Sequence, residues 1–382
     1  MTQKTIETKS KEQSNALNAW HTAGYRGSII AGTGFGKSRC GVLAVAHALT
    51  DGGRGIVLVP TNQLQDQFAD EFRKWGKEHV LSRVEILCYQ SAHKLQDQHY
   101  DIVVCDEVHL GLSPVYRRFF ESNTYDKLLC MTATPPEEPE YRELLERLAP
   151  TVYTITLDQC VQKGLVAPYK ILEVPVMLTE VEQKAYTAHN RSFVHQKYML
   201  GGHNAFNMAN DILRDKAGQF GPADKKAAAQ FFNAIRKRKA VVQHASNKLE
   251  IAKQIADSHK GEKILTFSGT NDFTNQMAAK LDGMIYHSGK TKKQREKTLE
   301  EFKSTDGAIL CSTKALNQGF DVPDVGIGII AGLESKALPM IQRVGRLIRF
   351  RPGKQGIVYI LYVAGSQEQK WMEQATKSFK NM

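Results

Sequence analysis

The chain has 382 residues, more than one hydrophobic core ordinarily organises, so two domains are expected. With 42% hydrophobic and 24% charged residues, no apolar run of 18 and no apolar stretch at its start, neither a membrane span nor a signal peptide is expected, and a cytoplasmic globular protein is. The net charge of +11 favours a polyanionic partner, and the scattered cysteines (Cys40, Cys88, Cys105, Cys130, Cys160, Cys311) read as buried reduced thiols rather than metal ligands.

In chain order, the first 150 residues alternate short apolar runs with amphipathic stretches. Strands are expected at 28–31, 55–59, 84–88, 101–105 and 128–132, with helices over 37–49 and 62–75. That alternation predicts a parallel sheet covered on both faces, with ligands at the carboxyl ends of its strands. From Thr179 to about His259 the apolar runs thin out and helical periodicity covers 182–200 and 225–235. Between Glu180 and Lys260 there are 14 Lys and Arg against 7 Asp and Glu, most of the chain's excess charge. The remainder returns to the first pattern, with strands expected at 264–268, 284–287, 308–312, 326–331 and 356–363 and helices at 292–302 and 340–348. The expected architecture is α/β: one domain over 1–155, a second over 156–382, and a basic helical insertion over 180–260 within the second.

Two motifs fall at strand ends. Ala31-Gly32-Thr33-Gly34-Phe35-Gly36-Lys37-Ser38 is a glycine-rich turn opening a helix, and in such a turn backbone N–H groups converge on phosphate oxygens at the positive end of the helix dipole. Lys37 would contact the β- and γ-phosphates and Ser38 would offer its hydroxyl to Mg²⁺. Asp106-Glu107-Val108-His109 ends the run Asp101-Ile102-Val103-Val104-Cys105. Asp106 suits the carboxylate that holds Mg²⁺, and Glu107 suits a base polarising the attacking water. His109 is expected to link motifs by hydrogen bonds, since no further metal ligands lie near it. The pair of motifs predicts ATP hydrolysis with Mg²⁺.

With these residues in view the chain resembles superfamily 2 helicases and translocases almost end to end. Gln13, 24 residues before Lys37, stands where the family reads adenine. Val57-Leu58-Val59-Pro60-Thr61 and Tyr89-Gln90-Ser91-Ala92 resemble strand-contacting motifs, which implies nucleic-acid contacts from Pro60, Thr61, Gln90 and Ser91. Met131-Thr132-Ala133-Thr134-Pro135 is similar to the motif coupling hydrolysis to movement, through Thr132 and Thr134. Ile264-Leu265-Thr266-Phe267-Ser268 resembles the motif opening the second domain, with Ser268 toward nucleic acid. The stretch Ser312-Thr313-Lys314-Ala315-Leu316-Asn317-Gln318-Gly319-Phe320-Asp321 is similar to the motif touching both backbone phosphate, through Thr313, and nucleotide, through Gly319 and Asp321. Gln342-Arg343-Val344-Gly345-Arg346-Leu347-Ile348-Arg349 resembles the finger motif, with Gln342 coupling and Arg346 and Arg349, one helical turn apart, as arginine fingers.

The resemblance implies two tandem RecA-like domains, ATP and Mg²⁺ as cofactors and a nucleic-acid partner. DNA is favoured over RNA, because Asp-Glu-Val-His and the compact layout are closer to phage branch-migration helicases and restriction-type translocases. It also implies 3′→5′ movement on one strand. An RNA helicase or annealer, and a double-strand translocase that separates nothing, remain open.

Overall fold

The computed structural model describes residues 3–32, 34–133, 135–136, 138–166, 169–215, 217–313, 325–333 and 356–380. The first part runs α1 (Gln3–Thr22), β1 (Arg26–Ala31), α2 (Lys37–Ala48), β2 (Gly55–Val59), α3 (Asn62–Lys74), β3 (Val84–Cys88), α4 (Tyr89–Ala92), β4 (His99–Asp106), α5 (Arg118–Ser122), β5 (Thr124–Thr132), α6 (Pro139–Leu148), β6 (Thr151–Ile155) and α7 (Leu157–Gln162). Its six strands form one parallel sheet in the order β3-β2-β4-β5-β1-β6. Every residue of β2 is buried, as is the Ile102–Cys105 run of β4, the near-continuous apolar pattern of strands covered on both faces. The order sets the carboxyl ends of β4, β5 and β1 side by side, so Asp106, Thr132 and the glycine loop share one edge.

Helix α1 went unexpected because its sequence is mostly polar. It holds on through a narrow buried stripe that includes Gln13, Ala16 and Trp20, and the Trp20 indole N–H donates to the Leu128 carbonyl at 2.9 Å. The edge strand β6 was also unexpected. After it, α7 packs back against the first sheet: Leu157 lies beside Gly32, and Lys163 pairs with Glu12 of α1 at 2.7 Å. By packing, the first unit therefore extends to Val166 rather than ending at 155.

The second part runs β7 (Tyr169–Val176), α8 (Glu180–Met199), α9 (Ala205–Arg214), α10 (Pro222–Gln243), α11 (Asn247–Ser258), β8 (Ile264–Phe267), α12 (Asn271–Leu281), β9 (Met284–Tyr286), α13 (Lys292–Ser304), β10 (Ile309–Ser312), β11 (Ile327–Ile330), β12 (Gly356–Val363) and a last helix, Gln367–Lys380. Its described strands make a second parallel sheet, β7-β12-β11-β8-β10-β9. The unexpected β7 sits at its edge, where Pro175 costs no ladder bond in the interior.

The expected insertion divides in two. Helices α8, α9 and α10 pack around a core of their own, built on Leu200, Ala205, Ala209, Ile212, Ala228 and Phe231. Helix α11 belongs to the sheet instead, since Ala252, Ile255 and Ala256 pack with Phe273 and Ile329. The arm thus ends near Gln243. Within the basic run, Arg238 lies 3.8 Å from the Phe193 ring centroid and donates to Asn190, so it is a packing cation rather than free surface charge. No described helix is long and apolar enough to cross a membrane. All six cysteines are buried free thiols.

Candidate nucleotide site

The glycine loop follows β1 directly. Gly34 and Gly36 hold φ of +90° and +91°, which side-chain-bearing residues rarely adopt. A Cβ on Gly34 would run into Val166, and one on Gly36 into the Gln13 amide. Glycine here keeps the backbone close to its supports and leaves the outer side open to a ligand. Lys37 begins α2 and donates to the Ala31 carbonyl at 3.0 Å, folding its ammonium back over the loop. Ser38 is half-buried in the same first turn. Thr33 lies outside the described residues.

Gln13 is fully engaged with this loop. Its Nε2 donates to the Phe35 carbonyl at 2.8 Å and the Gly36 carbonyl at 3.3 Å, while its Oε1 accepts from Arg39 at 2.7 Å. The residue expected to read adenine therefore also props the phosphate loop. Arg39, which sequence reasoning did not single out, fixes the amide's orientation.

At the end of β4 the chain turns sharply. Glu107 adopts left-handed φ +48°, ψ 53°, a conformation of cost for a non-glycine residue. Burial, reinforced by the neighbouring Glu107 charge, pushes the Asp106 carboxyl up to about 7, and the Lys37 ammonium opposes the rise. An oxygen donor short of compensating positive charge suits a hard dication such as Mg²⁺, so the residues present fit that ion. Glu107 accepts from the Thr132 hydroxyl at 3.3 Å and the Ala133 N–H at 3.4 Å. His109 Nδ1 lies 3.1 Å from Thr132 Oγ1 and 3.6 Å from Glu107 Oε2. Burial holds the imidazole below its ordinary value, against the pull of Glu107. Among the described residues no group of three His, Cys, Asp or Glu is placed to hold a metal by itself.

Lys37, Asp106, Glu107, His109 and Thr132 thus come together. Tyr89 joins them unannounced: its hydroxyl donates to the Asp106 carbonyl at 2.9 Å and anchors the strand end. Only its place beside Gln90 hinted at this. Of the expected nucleic-acid contacts, Gln90 and Ser91 are exposed, and Pro60 and Thr61 are half-buried where β2 passes into α3. Ser268 and Thr313 depart from expectation, for both side chains are buried. Gly332 approaches the Ser268–Gly269 backbone so closely that a Cβ there would clash. Thr134, Gly319, Asp321, Gln342, Arg346 and Arg349 lie outside the described residues.

Residues 6–137 match the family described as type III restriction enzyme, res subunit, and residues 247–351 match the helicase conserved C-terminal domain. The DNA 3'-5' translocase XPB2 of Sulfurisphaera tokodaii is 23% identical over 371 residues, covering 93% of this chain and 82% of that protein. The DNA 3'-5' helicase XPB of Kineococcus radiotolerans is 21% identical over 88% of this chain, which spans only 56% of that relative's length. Among solved structures, S. cerevisiae Dbp5 bound to RNA and ADP BeF3 superposes with a TM-score of 0.63 at 14% identity, covering 100% of this chain and 92% of that one, and shows the shared RecA-like fold. With both domains in order on two parallel sheets, the chain is a superfamily 2 helicase, a family whose members couple ATP hydrolysis to unwinding or translocation on nucleic acid.

Proposed function

We propose that this chain is an ATP-dependent DNA helicase or translocase of the cytoplasm that remodels forked or branched DNA, moving 3′→5′ along one strand. The observation that carries the reading is the convergence of Lys37 after β1, Asp106 and Glu107 after β4, and Thr132 after β5 on three adjacent strand ends, in a chain similar over 93% of its length to a DNA 3'-5' translocase. In this reading the first unit, 1–166, cradles the triphosphate through Gly32, Thr33, Gly34, Gly36 and Lys37. Ser38 and Asp106 would hold Mg²⁺, which supplies neutralisation of the triphosphate charge. Glu107 orients water and takes its proton, and the Thr132 and Ala133 bonds hold that carboxylate to the segment that senses nucleic acid. Gln342, Arg346, Arg349, Gly319 and Asp321 complete the site from the second unit. Pro60, Thr61, Gln90 and Ser91 contact phosphates, so recognition is independent of sequence.

The test measures ATP turnover in parallel with single-stranded DNA, blunt duplex, forked DNA and RNA. Stimulation by single-stranded or forked DNA is expected, and Lys37→Ala abolishes it while DNA binding persists. Arg346→Ala lowers turnover by about 10³ with ATP binding kept. Stimulation by RNA alone overturns the DNA assignment; activation by duplex without strand separation selects the translocase.

A further inference from the structure

Ten large apolar side chains stand exposed among the described residues, and eight of them lie between Met177 and Leu213, on or beside helices α8 and α9. This arm falls outside both family matches. Its aromatic residues differ in exposure. Phe193 and Phe231 stack in its interior with ring centroids 5.6 Å apart. Tyr198, 81% exposed, and Phe206, 56% exposed and resting edge-on against Phe232 at 5.4 Å, flank the Gly201-Gly202 turn that joins α8 to α9.

The charge around them is predominantly positive, although Lys184 pairs with Glu180 at 2.6 Å at the start of α8. No Asp or Glu occurs from Gln183 to Asn210, while Lys184, Arg191 and Lys197 do. Lys184, Arg191 and Tyr198 recur every seven residues, two helical turns, and all three are exposed, so they line one face of α8 over about 21 Å. A cationic track ending in exposed aromatic rings matches a polyanion that displays flat apolar faces. A duplex hides its base faces in the stack; an unpaired strand shows them.

The base of the arm is tied to the second sheet's carboxyl edge. His244 Nε2 lies 3.0 Å from Thr270 Oγ1, Gln243 packs on Gly269, and the Gln367 N–H donates to the Tyr186 hydroxyl at 3.2 Å.

We propose that the α8–α9 turn is a binding site for unpaired bases, on which Tyr198 and Phe206 stack while Lys184 and Arg191 follow the phosphates, so that the arm grips the single-stranded side of a DNA junction. This rests on the DNA reading above. The experiment compares the full-length wild type with Tyr198→Ala/Phe206→Ala and with Tyr198→Trp, by fluorescence anisotropy on forked DNA and blunt duplex and by 2-aminopurine placed along the unpaired arm. The double variant is expected to lose about tenfold in affinity for the fork, with duplex affinity within about twofold and 2-aminopurine quenching abolished. Tyr198→Trp retains all three. ATP turnover without DNA stays unchanged, and the melting temperature falls by no more than a few degrees, for the lost Phe206–Phe232 contact. Fork affinity unaltered in the double variant overturns the proposal, as does equal loss on fork and duplex. A change in the sedimentation of the protein alone overturns it too, assigning the face to a contact between copies. Absence of any DNA stimulation in the wild type would instead overturn the DNA reading itself.

Discussion

His109 Nδ1 and the Thr132 hydroxyl lie 3.1 Å apart, joining the carboxylate turn after β4 to the end of the neighbouring strand β5. Thr132 also donates to Glu107, so the carboxylate proposed to activate water and the segment proposed to couple hydrolysis to movement share one hydroxyl. Any shift of Thr132 is passed to Glu107 without an intermediary.

His109→Ala should therefore separate hydrolysis from its stimulation. Loss of one hydrogen bond of this kind amounts to about tenfold in rate, and it should fall on DNA-stimulated turnover, leaving the unstimulated rate within about twofold. Steady-state ATPase assays with and without DNA check this; equal losses in both would show that His109 only holds the fold.

Asp106 sets a pH dependence in metal-free protein. Its carboxyl is raised to about 7 in the folded chain, against an ordinary value of about 3.9. Between those values the folded chain keeps a proton that the unfolded chain has released, so this group's stabilisation is complete below the lower value and is lost as pH rises through the upper one. Asp106→Asn removes the buried charge. In EDTA at pH 8 the variant should melt a few degrees above wild type, with the gap closing by about pH 4. Identical melting curves at pH 8 would contradict the burial argument.

Lys248 and Glu368 form an ion pair with both side chains wholly buried, at 2.8 Å, and Lys248 also donates to the Ala331 carbonyl. Lys248→Met strands a carboxylate and should cost about 3–5 kcal/mol. Adding Glu368→Gln removes the stranded charge yet keeps an acceptor for the Val363 N–H, and should recover more than half of that loss. Urea denaturation midpoints of the two variants decide the matter.

Gln13→Glu would turn a carboxylate oxygen toward the Phe35 and Gly36 carbonyls in place of an N–H donor. The KM for ATP should rise about tenfold or more, and Gln13→Ala should raise it less. An unchanged KM in the glutamate variant would mean that the loop needs no prop.

The parts of this fold written in local pattern were legible. The β2 and β4 runs, the glycine loop and Asp106-Glu107 each carry their signal within a few residues. What escaped was specified by distant partners. Helix α1 shows no apolar period and is held by a few contacts such as Trp20 on Leu128; among the described strands β7 pairs with β12, about 185 residues later in the chain. Tyr89 and Arg39 support site residues 17 and 26 positions away, a relation that no spacing rule encodes. Ser268 was read as a contact because its motif fits, and its burial follows from the packing of β8 among strands more than forty residues away in the chain.

Leu157 and Val166 press on Gly32 and Gly34 from behind, and both belong to the stretch by which the chain leaves its first sheet. The loop that receives the triphosphate has a floor made from the connector. Enlarging either side chain would deform the cradle as surely as replacing a glycine in it. The positions least tolerant of change in this ATPase thus extend to two aliphatic residues that carry no chemistry, in a segment where a linker would ordinarily be free to vary.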